Sequence, residues 1–286
     1  MKYGMMLRQR RVFQKLIAVA LIAAAAIWGI ESISTKILTA HYATVRPLVV
    51  TPVSSAANDG NQLAHVNGCF GCHGDHLTGR VVFNSLFGTR IVASNLTRLA
   101  HQETDAQLTT AIRYGIKHDG TSVIEMPSTE FVRSSDSDVA AIIAYMRSLP
   151  ERPDAASKTR WRFDGRALLA MGILPSEAAM VNTSALGPPQ TPESPLARGR
   201  YITEAHCSGC HGPDLSGKTI EGSPDLRLSI EHYSPTAFAH FFSTGEGQIG
   251  HGTKTMTKMI RGRFKYFAAA DVHSIYIYLR SLDQPI

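Results

Sequence analysis

Four cysteines are the residues whose types and spacing point most directly to a chemistry. All four lie in two copies of one motif, Cys-x-x-Cys-His, at positions 69–73 and 207–211. In this motif the two thiols can add to the vinyl groups of a haem as thioethers, and the histidine is placed to bind the iron from one side. The motifs therefore predict two covalently bound haems c. Their cysteine attachments and histidine ligands would be Cys69, Cys72, His73, Cys207, Cys210 and His211.

Two other uses of paired cysteines fit this sequence less well. The pairs of a four-cysteine zinc site are usually about 12–20 residues apart, whereas 134 residues separate Cys72 from Cys207. A redox-active dithiol usually lies near a βαβ pattern, and the sequence around these motifs has none. Haem attachment also explains the histidine that follows each pair.

Each motif opens a longer repeat, which must supply the elements that position a haem. A loop-rich stretch follows each motif and leads to a methionine, an acidic helix start and a Tyr-x-Arg-Ser-Leu ending at 145–149 or 278–282. Internal similarity of this kind indicates two structural units. We place the first unit at 59–150 and the second at 196–286.

Local patterns in both units favour short helices rather than sheets. Thr104 precedes an amphipathic stretch that stops at Gly115, and Ser234-Pro235 is typical of an N-cap with proline in the first turn. The closing segments, 136–148 and 269–281, carry apolar residues at helical spacing. Met146 lies on the first of these apolar stripes, so we interpret it as a core residue. The predicted fold class is all-α.

The segment between the units, 151–195, has two parts. The second part, from Gly187 onward, is rich in proline and is typical of an extended linker. The first part contains Trp161, Phe163, Leu168 and Leu169 and is too apolar for a free tether. We expect it to pack across both units.

The N-terminal segment, 1–33, is typical of a transmembrane signal anchor or a signal peptide. Five Lys or Arg residues precede an apolar stretch from Leu16 to Ile30, and positive charge stays in the cytoplasm. The remainder would then face the periplasm of a bacterium from its cytoplasmic membrane, with 34–58 as a linker. We favour a retained anchor, because the small residues Ala24 and Ala26 lie inside the apolar run rather than after it. Cleavage is the alternative and would leave a soluble periplasmic protein.

The charge distribution argues against nucleic-acid binding. The net charge is +6, and five of the cations precede the first acidic residue, Glu31. The rest of the chain is therefore nearly neutral. Nucleic-acid binding needs a basic patch on the folded domain to neutralise phosphates, so no nucleic-acid partner is expected.

The sequence resembles the di-haem class of exported c-type cytochromes related to the cytochrome subunits of periplasmic alcohol and aldehyde dehydrogenases. The resemblance covers most of 59–286 and implies two tandem cytochrome c domains with histidine and methionine iron ligands. The familiar cytochromes of three-component dehydrogenases carry three haem motifs, whereas this chain has two, so a specific partner does not carry over. The residues that carry the resemblance are Phe87-Gly88-Thr89, Ser94 to Thr97, Asp105 to Leu108, Ala111 to Gly115, Met126-Pro127-Ser128, Phe131 and Arg263-Phe264.

The resemblance also bears on the methionine ligands. Met126, in Met-Pro-Ser, is the candidate for the first haem. For the second haem, Met259 lies 19 residues before Tyr278, as Met126 lies before Tyr145. The family's second domain commonly has its ligand eight residues before the phenylalanine of Arg-Phe, which here is Met256. We choose Met256, with Met259 as the alternative.

Several histidines are rival ligands that we interpret as surface or packed residues. Two of them, His118 and His251, call for a spectral check, and two that precede the motifs are interpreted as ordinary helix residues. The rivals are His101, His118, His232, His240 and His251, and the two helix residues are His65 and His206.

The expected function is electron transfer without substrate chemistry. Histidine and methionine on both irons leave no open position for a substrate, so we expect no catalytic residues. Redox protein partners would be an exported or membrane dehydrogenase on one side and a cytochrome or terminal oxidase on the other. Two alternatives stay open: a peroxidase-like di-haem oxidoreductase with one open haem, and the haem subunit of a membrane oxidase.

A run of positive charge surrounds the second methionine pair. Between 254 and 265 the chain carries five Lys or Arg residues and no acid, whereas the equivalent stretch of the first unit holds Glu125 and Glu130. We hypothesise that this run docks an acidic partner surface, because complementary charge speeds encounter. A solvated loop without a partner is the alternative.

Overall fold

The computed structural model describes residues 2–43, 56–181, 192–218, 222–247 and 254–282. This part of the chain is mostly helical, as predicted. In chain order its helices and strands are α1 (Lys2–Thr39), α2 (Ala56–Val66), α3 (Cys69–His73), β1 (Arg80–Asn84), β2 (Arg90–Ala93), α4 (Leu96–Gln102), α5 (Asp105–Tyr114), α6 (Ser128–Phe131), α7 (Asp136–Ser148), α8 (Phe163–Ala170), α9 (Glu177–Met180), α10 (Pro195–His206), α11 (Ser208–His211), α12 (Leu226–Ser229), α13 (Pro235–Thr244), α14 (Lys254–Gly262) and α15 (Ala269–Ser281).

The first and last helices of each unit cross at a glycine. Helix α2 packs on α7, and α10 packs on α15. At the crossings Gly60 lies against the Ala141 carbonyl oxygen and Gly199 against that of Ser274. A Cβ at either glycine would overlap the carbonyl, so the absence of a side chain permits the close approach. Both units therefore use the same helix pair as a frame.

The predicted helix boundaries of 104–115 and 234–235 are confirmed. Thr104 and Gln107 form a reciprocal capping box at the start of α5, and Gly115 ends it in the left-handed region at φ 64°. Ser234 accepts a hydrogen bond from the Ala237 backbone N–H at the start of α13. Met146 is 2% exposed in the core of the first unit, as predicted.

The hairpin formed by β1 and β2 differs from the prediction of helices alone. The strands pair antiparallel, with Arg80 opposite Ala93 and Asn84 opposite Arg90. Their β-branched residues, Val81, Val82, Ile91 and Val92, favour extended backbone. The two strands form one small sheet, and the all-α class stands.

The segment after the first unit packs differently from the expectation. Helix α8 packs along α1, and its buried Leu169 joins Ile91 of the hairpin in one apolar cluster. We expected this segment to bridge both units, but these contacts join it to α1 and to the first unit. The reason is that α1 continues to Thr39, beyond the predicted end at 33, and supplies an apolar surface. Residues 182–191 of the predicted linker lie outside the described residues.

The two units contact each other through equivalent elements. Helix α2 packs on the 3₁₀ turn Phe264–Tyr266 of the second unit, and α10 packs on α6 of the first. Arg198 of α10 lies between two aspartates at equivalent repeat positions, 3.3 Å from Asp138 and 2.9 Å from Asp271. The Tyr201 hydroxyl donates to Asp138 at 2.8 Å. These contacts fix the orientation of the units through partly buried polar groups.

Candidate haem-binding sites

The same tight loop follows both motif histidines. Leu77 and Leu215 adopt φ of 55° and 62°, although the left-handed region costs about 1–2 kcal/mol for a residue with a side chain. Both side chains are buried, at 0% and 3% exposure, and their burial offsets that cost. The loop closes when the N–H of Gly79 donates to the His73 carbonyl at 2.9 Å and that of Gly217 to the His211 carbonyl at 2.8 Å.

The loop places a backbone carbonyl beside each motif histidine. Nδ1 of His73 lies 2.7 Å from the Ser94 carbonyl oxygen, and Nδ1 of His211 lies 2.8 Å from that of Pro224. A carbonyl oxygen only accepts, so Nδ1 carries the hydrogen in both rings. The lone pair is then on Nε2, the nitrogen that would face the iron, and the hydrogen bond fixes the ring orientation.

The protonation state of His73 also suits iron binding. Burial lowers the pKa of this imidazole, an effect that the Ser94 hydrogen bond opposes. The neutral ring therefore persists to lower pH than in water, and only the neutral ring has a lone pair for a metal.

The cysteine environments oppose a redox-active dithiol. Burial raises the pKa of the Cys69 thiol to about 11 and that of Cys207 to about 12. Redox-active pairs instead have a lowered pKa, because the thiolate is the nucleophile. The second cysteine of each motif, Cys72 or Cys210, is exposed. Each motif thus has one thiol against the core and one at the surface, an arrangement that fits attachment to a haem at the edge of the domain.

The candidate methionine ligands lie in different settings. Met126 is partly buried in a bend just before α6. Both Met256 and Met259 lie on α14, partly buried against the apolar cluster that contains Cys207. They are three positions apart on one helix face, so both candidates of the second unit face the same apolar cluster.

The rival histidines that can be described have other contacts. Nδ1 of His118 lies 2.9 Å from a Glu103 carboxylate oxygen, and Nδ1 of His101 lies 2.8 Å from the Thr97 carbonyl. His240 lies 3.8 Å from Glu246, and His232 lies in a 3₁₀ turn. His251 lies outside the described residues.

Two features of the sites were not predicted from the sequence. His65 is stacked between Phe70 of the first motif and Tyr266 of the second unit, with 3.9 Å between ring centroids on each side. A basic side chain also caps the glycine carbonyl of each motif: Arg80 binds Gly71, and Lys218 binds Gly209. The basic residue at the same place in both repeats, in Gly79-Arg80 and Gly217-Lys218, could have revealed these contacts with the motif glycines. The stacking of His65 depends on how the two units dock, and no local sequence pattern predicts it.

The fold and the two sites are those of a c-type haem protein, and comparison with known proteins agrees. The cytochrome c family model matches residues 57–150 and 196–283. The chain belongs to the cytochrome c family. The two matches, one for each motif, support the predicted cofactor, covalently bound haem c.

Curated relatives include cytochrome subunits of dehydrogenases. The chain is 26% identical to the fructose dehydrogenase cytochrome subunit of Gluconobacter japonicus, over 83% of this chain and 55% of the relative. It is 27% identical to the cytochrome c subunit of the quinone alcohol dehydrogenase of Gluconacetobacter polyoxogenes, over 82% and 58%. It is 29% identical to a nicotinate dehydrogenase component of Pseudomonas putida, over 85% and 23%. The chain thus spans little more than half the length of the first two relatives.

Proposed function

We propose that this chain is a di-haem electron carrier that serves a membrane-bound dehydrogenase facing the periplasm. It would receive electrons from the dehydrogenase and pass them to a downstream cytochrome or terminal oxidase. The names of the relatives support the dehydrogenase as donor. The observation that carries the proposal is the matched pair of histidines, each with Nδ1 held by a backbone carbonyl.

The protein's own groups would prepare each site for electron transfer. Each bound haem c would supply an iron that changes oxidation state by one electron. The carbonyls of Ser94 and Pro224 hold the histidine rings in one orientation. The apolar clusters around Cys69 and Cys207 exclude water, and a low local dielectric favours the less charged state of the site.

We assign the remaining iron ligands to Met126 in the first unit and to Met256 in the second, with Met259 as the alternative. A thioether ligand raises the reduction potential relative to a second nitrogen ligand, which suits a carrier late in a chain. The weak absorption of oxidised haem at the red end of the spectrum reports sulfur ligation. Met126→His and Met256→His should each remove half of it. If Met259→Ala removes the signal and Met256→Ala leaves it intact, the ligand is Met259.

We infer that α1 is a retained anchor rather than a cleaved signal. The helix has a span of 30 residues, Arg10–Thr39, apolar enough to cross a membrane. Its last part packs on the body of the protein: Ser34 is 0% exposed, and Arg166 contacts Glu31 at 3.2 Å and Thr35 at 2.9 Å. Cleavage of the signal would remove these contacts from the folded protein. N-terminal sequencing of the protein from native membranes should find α1 present.

Purification from native membranes tests the proposed function. Full-length chain extracted in mild detergent should bring with it a dehydrogenase, identified by mass spectrometry. Addition of that enzyme's substrate should reduce both haems, followed by their visible absorption. Isolation of the chain without a dehydrogenase, together with carbon monoxide binding to the reduced haem, would favour the peroxidase-like alternative, because that reaction needs an open iron position.

A further inference from the structure

Two large apolar side chains are largely exposed to solvent at the tip of the hairpin. Leu86 is 100% exposed and Phe87 is 80% exposed, in the turn that joins β1 to β2. Phe163, at the start of α8, is 47% exposed. Adjacent exposed apolar groups of this size are typical of a surface that contacts another molecule or a membrane.

The tip is fixed to the first turn of α8. The Thr89 hydroxyl oxygen accepts hydrogen bonds from the backbone N–H groups of Arg162 at 3.0 Å and Gly165 at 3.1 Å. The same hydroxyl donates to the Asp164 carboxylate at 2.7 Å. The position of Leu86 and Phe87 relative to α8 is therefore set by a buried polar contact rather than by a free loop.

The first turn of α8 is level with the end of the apolar run of α1. Arg166 contacts Glu31, the first acidic residue after that run. Three residues beyond the end of α1, the Tyr42 hydroxyl lies 3.1 Å from Ser176 Oγ, which itself lies past the end of α8. Helices α1 and α8 thus run in the same direction, and the start of α8 faces the membrane side of α1. The hairpin tip lies at that end.

We propose that Leu86 and Phe87 insert into the phospholipid bilayer beside α1, as a second membrane contact. This inference rests on the proposed role of α1 as a retained anchor. The surrounding residues fit a membrane interface: Trp28 is 74% exposed on α1, where interfacial tryptophans collect. Arg162, beside the tip, is exposed and can pair with anionic lipid headgroups. The contact would hold the first haem unit close to the bilayer.

Photolabelling from within the lipid tests this proposal. The full-length, haem-loaded protein is reconstituted into phosphatidylethanolamine–phosphatidylglycerol vesicles that contain a phospholipid with a diazirine in its acyl chain. After illumination, trypsin releases three informative peptides: 16–36 from α1, 81–90 with the hairpin tip, and 167–198 from the end of α8. We expect labelled 16–36 and labelled 81–90, the latter at least fivefold above 167–198.

The peptide 167–198 is a matched control, because it also carries exposed apolar residues, among them a pair just past the end of α8 that lies further from the membrane. Met171 and Ile173 are 63% and 59% exposed and follow the last residue of α8, Ala170, at the end opposite the hairpin tip. Replacing Leu86 and Phe87 with serine should abolish labelling of 81–90, and the same change at Met171 and Ile173 should leave it unchanged.

The outcomes separate the two proposals. Labelled 16–36 with 81–90 no stronger than 167–198 would overturn the hairpin contact and leave the anchor standing. An unlabelled 16–36 would overturn the anchor, and the hairpin contact would fall with it.

Discussion

Removal of the Arg198 side chain should weaken the fold where the two haem units meet. Arg198 is 24% exposed and lies between Asp138 and Asp271, which are 16% and 15% exposed. Burial by itself would lower the pKa of Arg198, but the hydrogen bond to Asp271 and the charges of both aspartates raise it further than burial lowers it. The guanidinium is thus charged at every accessible pH, and Arg198→Met would leave two half-desolvated carboxylates without their cation.

The magnitude follows from the burial of the three groups. Breaking a fully buried ion pair by removing one partner costs about 3–5 kcal/mol. Here some solvent reaches each group, and the Tyr201 hydroxyl still donates to Asp138. We therefore expect the free energy of unfolding to fall by about 2–3 kcal/mol.

Unfolding of the haem-loaded protein in guanidinium chloride, followed by circular dichroism and by haem absorption, measures this loss of stability. Arg200→Met is the matched control, since Arg200 lies on the same helix and pairs with Glu204 at 2.7 Å, but its side chain is 67% exposed. An exposed pair of this kind contributes about 0.3–0.5 kcal/mol. Equal losses for the two variants would refute the argument that the buried position of Arg198 gives the network its stability.

Three further predictions concern packing, pH and charge. Gly199→Ala should lower the free energy of unfolding by about 1–3 kcal/mol, because its methyl group would overlap the Ser274 carbonyl. Burial, with the charges of Arg263 and Arg198, lowers the pKa of His206 to about 3. Below pH 6.5 the unfolded state therefore binds more protons than the folded state, and the free energy of unfolding decreases as the pH is lowered. Between pH 6.5 and pH 5 the loss through this group is about 1.6 kcal/mol, and His206→Gln should remove it. Lys258→Glu should slow reduction by the native partner about tenfold at low salt, and the difference should vanish at high salt.

Each of these predictions has a control or a contradicting result. Gly262→Ala is the control, because a Cβ added at this glycine of α14 meets nothing within 4 Å and its φ is not positive, so a smaller loss is expected there. An unchanged pH dependence in His206→Gln would show that another group titrates. Lys158→Glu changes an exposed charge of the segment after the first unit and should leave the electron-transfer rate unaltered. Equal rates for Lys258→Glu and the wild type at low salt would remove the support for charge-assisted docking.

Much of the fold could be predicted because its signals are local. The cap at Thr104, the stop at Gly115 and the apolar stripes of α7 and α15 each depend on residues within a few turns. The hairpin was not predicted, because its strands are short and flank an exposed turn that carries apolar residues. The length of α1 was underestimated, because its last turns are stabilised by tertiary contacts with Arg166 that no local pattern reveals.

The sites could be predicted in part. The Cys-x-x-Cys-His spacing is a local pattern, and it predicts the candidate haem-binding residues directly from the sequence. The carbonyls of Ser94 and Pro224 are distant in sequence and reach the histidines only in the folded loop. The choice between Met256 and Met259 is not decided by the fold, since both lie on the same helix against the same cluster. The stack of His65 between Phe70 and Tyr266 depends on how two units dock, which neither unit encodes alone.

Haem stoichiometry with site-directed loss of each attachment is the most direct measurement of the central claim. A pyridine haemochrome assay and the intact mass of the purified chain should both give two covalently bound haems. Replacing Cys69 and Cys72 with alanine should leave one haem, held by the second motif, and replacing Cys207 and Cys210 should leave the other. One haem in the unaltered chain, or bound zinc in place of haem, would contradict the assignment of both motifs.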